Sequence, residues 1–293
     1  GTSFPGRFIL GVGDRTVANS AGGTRAYVGA NDQYNFGPLN YFQRPSERYG
    51  FNASANYDIL PNAKLYSEFS FHDDHTVAQI APSGLFGFDA SAGGGNPVHC
   101  DNPFLSADWR RDLGCTCTTG TADALIFRRN VEGGPRQNDL QHTNYRAVIG
   151  TKGDLGKAWS YDTYYQYGRS NYTQVYSNEF SVARLGRALN VIDDPRTAAF
   201  DPVCRSVIDG SDPNCVPYNI FNGAGGASAA SVNYLSATGF QKGYTSEQVA
   251  NASLTGQLGE YGITSPWATD GVGVNLGFEW RKESLDLQTD NAF

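Results

Sequence analysis

Long apolar runs and basic character are both missing from this sequence. No apolar stretch approaches the roughly 20 residues that a membrane-spanning helix needs. Hydrophobic residues make up only 40% of the 293 residues, which is low for a soluble core of this size, whereas aromatic residues reach 13%. The formal net charge of -7 argues against a dedicated nucleic-acid binder, which would carry a basic patch.

Familiar catalytic and cofactor motifs are also missing. The sequence contains no H-E-x-x-H, no G-x-S-x-G and no P-loop, and the glycines of residues 11–13 do not open a strand–helix unit. His72 and His75, beside Asp73 and Asp74, suggest either a metal site or a solvated strand end, and we favour the strand end. We therefore predict a protein that is not an enzyme and that carries no metal and no cofactor.

Methionine is absent as well, even at the first position. Residues 1–6 resemble neither a translation start nor a signal peptide, and residues 289–293 stop in mid-pattern. We expect the chain to be either an internal fragment of a longer protein or a processed product.

Cysteine is scarce, and its spacing favours disulfides over metal binding. Cys204 and Cys215 flank a turn-rich stretch, and Cys100 precedes Cys115 and Cys117. Neither group has paired C-x-x-C spacing with nearby histidines, which argues against zinc. Disulfides closing loops imply an oxidising compartment. Spacing leaves open whether Cys115 or Cys117 pairs with Cys100; our working assignment is Cys115, together with a Cys204–Cys215 bond.

Strict alternation is the strongest positive signal. In residues 48–59 the odd positions are apolar or aromatic and the even positions are polar or glycine. A period of two places the two sets on opposite faces of a β-strand. An apolar outer face and a polar inner face are typical of a transmembrane barrel strand. The pattern predicts an all-β fold, an antiparallel transmembrane barrel section of about six strands in three hairpins at residues 47–73, 140–172 and 247–288.

Connections of unequal length separate these hairpins. Residues 74–139 and 173–244 form long polar stretches, and residues 1–45 read as loop with one hairpin, residues 7–10 against 25–28. Short turns on one side and long loops on the other match the periplasmic and extracellular ends of an outer-membrane barrel. Apolar residues at helical spacing predict short helices within residues 181–192 and 227–235.

The alternation also assigns faces. We predict that a set of large apolar residues faces lipid: Phe51, Tyr57, Phe69, Tyr165, Leu276 and Phe278. A second set is expected to face the lumen, where its members either guide a solute or pair with neighbouring strands: Arg48, Asn52, Asn56, Glu68, His72, Arg146, Asp162, Gln166, Arg169, Glu279 and Arg281.

Five segments resemble TonB-dependent receptors of sphingomonad- and caulobacter-type bacteria. They are YNFGPLNYFQRPSERY (residues 34–49), DHTVAQIAPSG (74–84), CDNP (100–103), RRNVEGG (128–134) and PNCVP (213–217). The resemblance implies an early-to-middle section of a receptor barrel of about 22 strands. The plug domain and the energy-coupling box of that family have no counterpart in this sequence.

The resemblance further implies a function. A TonB-dependent receptor lies in the outer membrane of a Gram-negative bacterium, binds a scarce solute and imports it with energy from a TonB-ExbB-ExbD-type system that acts through the plug. The solute class stays open among siderophore, cobalamin, oligosaccharide and peptide. Two alternatives remain: a passive, substrate-selective porin, and a β module that self-associates through its strand edges.

Overall fold

Antiparallel β-sheet makes up most of the chain. The structure, a computed structural model, describes residues 3–89 and 97–291. Its strands are β1 (Arg7–Leu10), β2 (Gly13–Val17), β3 (Thr24–Ala26), β4 (Ser46–Leu60), β5 (Ala63–Pro82), β6 (Gly84–Asp89), β7 (Val98–His99), β8 (Thr121–Ala122), β9 (Leu125–Arg129), β10 (Pro135–Leu155), β11 (Trp159–Phe180), β12 (Val191–Asp193), β13 (Pro202–Cys204), β14 (Ser236–Gln257) and β15 (Gly273–Thr289).

Helices are short and lie outside the long strands. They are α1 (Gly29–Asp32), α2 (Ala107–Asp112), α3 (Val182–Leu189), α4 (Arg205–Ile208) and α5 (Ala229–Leu235), with single 3-10 turns at Gly37–Leu39, Val131–Gly133 and Leu258–Tyr261. The helices predicted within residues 181–192 and 227–235 are confirmed as α3 and α5. Within the described residues, none of the helices combines the length and the apolar character needed to cross a bilayer.

The six longest strands form one sheet in the order β15-β14-β11-β10-β5-β4. Strands that follow one another in this set pair antiparallel, which confirms the three predicted hairpins. Two of the hairpin connections are tight, at Pro61–Asn62 and at residues 156–158, whereas residues 258–272 form a longer one. The sheet is open in the part of the chain that the structure describes, since β4 and β15 each pair on one side only.

These strands extend well beyond the predicted hairpins. β5 continues to Pro82, β10 begins at Pro135, β11 continues to Phe180 and β14 begins at Ser236. Residues at these ends were predicted as loop because their alternation is lost. Both faces of the sheet carry polar side chains there, so apolar and polar residues do not alternate in the sequence of these strand ends.

A second unit, the cap, is built from residues 3–33, 83–89, 97–134 and 181–235. Its main sheet has the order β3-β2-β1-β9-β6. The cap lies at one end of the six-stranded sheet, because β5 and β11 end there and β10 and β14 begin there. Its core is apolar, with Trp109 fully buried against Phe8 and Phe221. In the described part of the chain the buried residues of that core all come from the cap, and Phe180 at the end of β11 packs against them.

One predicted pairing in the cap is wrong. β1 does not pair with residues 25–28; it pairs with β2 on one side and with β9 on the other, and β2 pairs in turn with β3. Leu10 and Gly13 close a tight turn, in which Gly13 has a φ of 101° that favours glycine. β2, which is nearer in sequence, therefore pairs with β1 in the place that we assigned to residues 25–28.

Both disulfides of the working assignment are present. Cys100 bonds to Cys115 and Cys204 bonds to Cys215, while Cys117 is free and exposed. Cys204 and Cys215 are buried in the cap core. The bonds therefore tie the connections of the cap to its own core.

Replacing Cys204 and Cys215 with serine is expected to lower the free energy of unfolding of the cap by about 2–3 kcal/mol. The bond closes a short loop and limits the freedom of the unfolded chain. Denaturant unfolding followed by cap fluorescence measures the change, with Cys117→Ser as the matched control. Equal stabilities for both variants would contradict this prediction.

Acid is expected to loosen the cap through Asp112, which is 6% exposed. Burial raises the pKa of this carboxyl, but the hydrogen bond from Thr24 and the contacts with Arg111 and Arg15 outweigh it, so the pKa lies below its ordinary 3.8. The ionised Asp112 carboxylate therefore contributes its full stabilisation of the cap above pH 3.8. This contribution is lost as the pH falls through the lower pKa of the folded state.

Asp112→Asn is therefore expected to cost about 1.5 kcal/mol at neutral pH, and less as the pH falls below about 4. Unfolding measured across pH for the native and variant chains tests this. The same change at the half-exposed Asp108 should cost under about 1 kcal/mol at every pH. A penalty for Asp112→Asn that stays constant down to pH 2 would refute the assignment.

Candidate functional site

The register of the six-stranded sheet separates two faces. The aromatic face carries the predicted lipid-facing residues, since Phe51 lies opposite Phe71 and Tyr165 lies opposite Ile149. The opposite, polar face carries the predicted lumen-facing residues, with one exception. Arg169 lies on the aromatic face, opposite Tyr145, because it is an odd number of residues from Gln166 on the same strand. The face predicted for Arg169 is therefore wrong.

A row of polar contacts, which we call the charge ladder, crosses the polar face. Arg146 Nη1 lies 3.1 Å from Glu68 Oε2, and its Nε donates to Gln166 Oε1 at 2.8 Å. Gln166 Nε2 donates in turn to Glu247 Oε1 at 2.7 Å, and Glu247 lies 3.3 Å from Arg281. The ladder thereby connects β5, β10, β11, β14 and β15 through side chains alone.

The ladder ends at β15 in a carboxylate-rich group. Arg281 contacts Glu279 at 3.2 Å and Glu283 at 3.7 Å, in addition to Glu247. Two guanidinium groups therefore face four carboxylates along the row, and these side chains are one third or more exposed. A face of this kind presents hydrogen-bond acceptors and a net negative charge to any group that contacts it.

Below the ladder, on the side of the tight turns, the polar face holds an aromatic ring. Tyr66 donates to Asp162 Oδ1 at 2.7 Å, and Lys152 Nζ lies 5.4 Å from the centre of its ring. The ring covers Gly150, where a Cβ atom would come within 2.4 Å of it. Asn56 lies opposite Tyr66 in the register. Glycine at position 150 is therefore what lets the ring lie flat across the strands.

Above the ladder, towards the cap, the polar face carries Arg48, His72, Asp74 and His142. His142 Nδ1 is 3.5 Å from Asp74 Oδ1, and Arg48 lies opposite Asp74 in the register. His72 stands over Gly50, where a Cβ atom would come within 2.8 Å of the imidazole. His72 and His75, with Asp73 and Asp74 between them, lie in the middle of β5 and not at a strand end as predicted. No group of three or more metal-ligating side chains occurs in the residues that the structure describes.

Asn52 completes the placement of the predicted residues. It lies on the polar face opposite Ser70, next to the position of Ser54 and Glu68. The structure therefore gathers Glu68, Arg146, Gln166 and Arg281 into one connected row. Arg48, His72, Asp162, Asn52 and Asn56 surround that row on the same face.

Comparison with protein-family models, curated proteins and solved structures finds no match.

A belt of large apolar side chains covers the lower half of the aromatic face. On β5 the belt runs from Leu65 to Phe71, about 20 Å along the strand at 3.4 Å per residue. Its members are largely exposed: Tyr57 by 70%, Leu276 by 64% and Phe278 by 67%. Above it the same face carries mostly polar side chains, with Val77, Val175 and Phe240 as apolar exceptions. The belt therefore covers only part of the length of each strand.

The upper boundary of the belt slants across the strands. Phe71 is the last belt residue on β5. The residues directly opposite it on the successive strands of the sheet are Tyr145, Arg169, Ser246 and, on β15, Ser284. The last belt residue on β15 is however Trp280, four positions before Ser284. The boundary therefore drops by four residues over four strands, about one residue per strand.

Sequence reasoning missed a buried ion pair at the junction between cap and sheet. Arg128 is fully buried, and its Nη2 donates to Glu132 at 2.6 Å. Nη1 also donates to Tyr218 Oη, which donates to Asn130 Oδ1 at 3.0 Å. Burial raises the pKa of the Tyr218 hydroxyl although Arg128 opposes this, so Tyr218 stays a neutral donor. The only sequence signal was the placement of Arg128 four residues before Glu132.

A second junction contact joins the strands themselves. Glu179, near the end of β11, accepts hydrogen bonds from Ser83 and from Arg136, the latter at 2.8 Å. Arg129 donates to Pro82 O at 2.7 Å and lies over the ring of Phe86. These bonds fix the cap to the upper ends of β5, β10 and β11.

Proposed function

We propose that the chain is a section of the wall and outer cap of an outer-membrane receptor that imports a scarce solute in an energy-coupled way. The observation that carries this proposal is the slanted belt. Barrel strands tilt by about 40° from the barrel axis and lie about 4.8 Å apart. Residues at one depth in the membrane must then be displaced along the strand by about one residue from each strand to the next. The upper boundary of the belt is displaced by that amount.

The height of the belt supports the same proposal. Projected through a tilt of about 40°, a 20 Å run along β5 spans roughly 15 Å, and aromatic residues at both margins, such as Tyr57 and Tyr145, extend it towards the roughly 25 Å band of outer-membrane barrels. The long strands then continue beyond the membrane as far as the cap. In this arrangement the aromatic face is in lipid and the charge ladder lines the lumen.

The cap favours a receptor over a passive porin. Its own apolar core, its two disulfides and its buried Arg128–Glu132 pair make it a rigid body at the mouth of the proposed barrel. A fixed surface of this kind suits the capture of a ligand before import. The proposed partners are a solute, outer-membrane lipid, and a TonB-ExbB-ExbD-type system acting through a plug supplied by the rest of the protein.

Thiol labelling of the intact outer membrane tests the two-faced wall. In a Cys117→Ser background, Glu279→Cys is expected to react with a membrane-impermeant reagent added with access to the lumen, and Phe278→Cys is expected to be protected. The two positions are adjacent on β15 and differ only in face. Labelling of Phe278→Cys with protection of Glu279→Cys would reject the proposal.

Solute uptake separates the receptor from the porin. In cells that produce the complete protein, uptake is expected to stop when a protonophore removes the inner-membrane proton gradient, and the purified protein is expected to show no steady conductance in a planar bilayer. Steady conductance with uptake that survives the protonophore would identify a porin.

A further inference from the structure

Two cations lie directly above the belt on the aromatic face. Arg169 follows the belt residue Tyr167 by two positions on β11, and Lys282 follows Trp280 by two positions on β15. Each is therefore the first side chain above the belt on its strand. Along a tilted strand, two residues correspond to about 5 Å of height. Both cations lie at the depth at which lipid headgroups begin.

Neither cation has a carboxylate partner in the described part of the chain. The Arg169 guanidinium lies flat over the ring of Tyr244, 3.7 Å from its centre, and its Nε donates to Asn171 Oδ1 at 2.8 Å. Lys282 is exposed and has no ion-pair or hydrogen-bond partner there. This contrasts with Arg146 and Arg281 on the polar face, which are both engaged by glutamates. The positive charges of Arg169 and Lys282 are therefore not neutralised by a neighbouring carboxylate.

The strand between them supplies a third polar group. Gln248 on β14 lies opposite Tyr167 on one side and opposite Lys282 on the other. Its Oε1 accepts a hydrogen bond from Tyr165 Oη at 3.0 Å, which leaves the amide NH2 as the outward donor. Arg169, Gln248 and Lys282 thus span three neighbouring strands, about 10 Å across. The acidic groups Asp73 on β5 and Asp286 on β15 lie higher on this face, at the register level of Asn171, two positions above Arg169 and four above Lys282.

We propose that Arg169, Gln248 and Lys282 bind the phosphate of an anionic lipid headgroup at the outer rim of the belt. The inference rests on the proposed function, because it requires the belt to be in lipid. An aromatic residue at the membrane margin followed by a cation on the same face places the charge where lipid phosphates lie. The Tyr244 ring holds the Arg169 guanidinium in place, so less freedom is lost on binding.

Native mass spectrometry of the detergent-solubilised full chain tests this site by titration with phosphatidylglycerol and with phosphatidylcholine. We expect the first phosphatidylglycerol to bind at least about fivefold more tightly than the first phosphatidylcholine, since each cation near a headgroup surface favours an anionic lipid by about that factor. In the double variant Arg169→Gln/Lys282→Gln, the affinities for phosphatidylglycerol and phosphatidylcholine are expected to be equal. Arg44→Gln/Lys157→Gln, which changes one exposed arginine and one exposed lysine elsewhere, should retain the preference.

Four results would overturn the inference. Equal binding of both lipids by the native chain, or a preference that survives Arg169→Gln/Lys282→Gln, would exclude the headgroup site while leaving the lipid-facing belt intact. Displacement of phosphatidylglycerol by equimolar glycerol phosphate would assign the site to a soluble anion. If neither lipid binds, the site and the proposed function are both overturned, and protection of Phe278→Cys would then be lost as well.

Discussion

Glu132→Gln is expected to lower the free energy of unfolding of the cap by about 3–5 kcal/mol. The substitution keeps the shape of the side chain but leaves the guanidinium of Arg128 charged and unpaired in a fully buried site. Tyr218 and the Arg129 carbonyl remain as neutral acceptors, and neither compensates the charge. Denaturant unfolding monitored by the fluorescence of Trp109 in the cap core measures the loss.

A double-mutant cycle provides the control. Arg128→Met/Glu132→Gln removes both charges, so the double variant is expected to be more stable than Glu132→Gln alone. Glu260→Gln, at an exposed position outside the cap, should cost less than about 0.5 kcal/mol. If Glu132→Gln proved as mild as Glu260→Gln, the buried pair would have no role in cap stability.

Leu276→Arg is expected to cost about 2–4 kcal/mol in membrane stability. Leu276 lies on the aromatic face of β15, within the belt and opposite Leu254, at the depth that the proposed function assigns to hydrocarbon. An arginine there must reach the interface or lose its hydration, and the cost falls towards zero near the headgroups. The fraction of folded protein recovered in outer membranes, together with urea unfolding in lipid vesicles, measures the effect.

Asn275→Arg is the matched control, because it introduces the same side chain one residue away on the polar face. Asn275 donates to Thr255 Oγ1 at 2.7 Å, and losing this exposed bond should cost no more than about 1 kcal/mol. Serine in place of Leu276 would separate loss of apolar area from the cost of the charge. Equal penalties for Leu276→Arg and Asn275→Arg would contradict the assignment of lipid to the aromatic face alone.

The sheet could be predicted from the sequence wherever its two faces differ in polarity. In residues 48–59 the alternation identifies the strand and the face of each side chain, and the register agrees at Phe51, Asn52 and Tyr57. The same signal predicted the pairing of β10 with β11 and of β14 with β15. It disappears above the belt, where β5 and β11 continue with polar residues on both faces.

Short helices and both disulfides of the cap were predicted, but its packing was not, because its core is assembled from distant segments with no internal period. Phe8, Trp109 and Phe221 meet in one core although each lies in a different connection. Arg128 was expected in a polar loop, and only tertiary packing shows it to be buried. Within the candidate site, Glu247 was missed as the link between Gln166 and Arg281, because which carboxylate completes the ladder depends on the register between β11 and β14.

The pairing of β1 with β9 constrains the order in which the chain folds. These strands flank the β4–β5 hairpin in sequence, so their contact closes a loop that contains the whole hairpin. Such a non-local contact loses much chain entropy unless the intervening hairpin has already formed and brought its ends together. The cap should therefore acquire its protection from hydrogen exchange after the hairpins do, and a chain whose hairpins are delayed should expose the cap core to aggregation for longer.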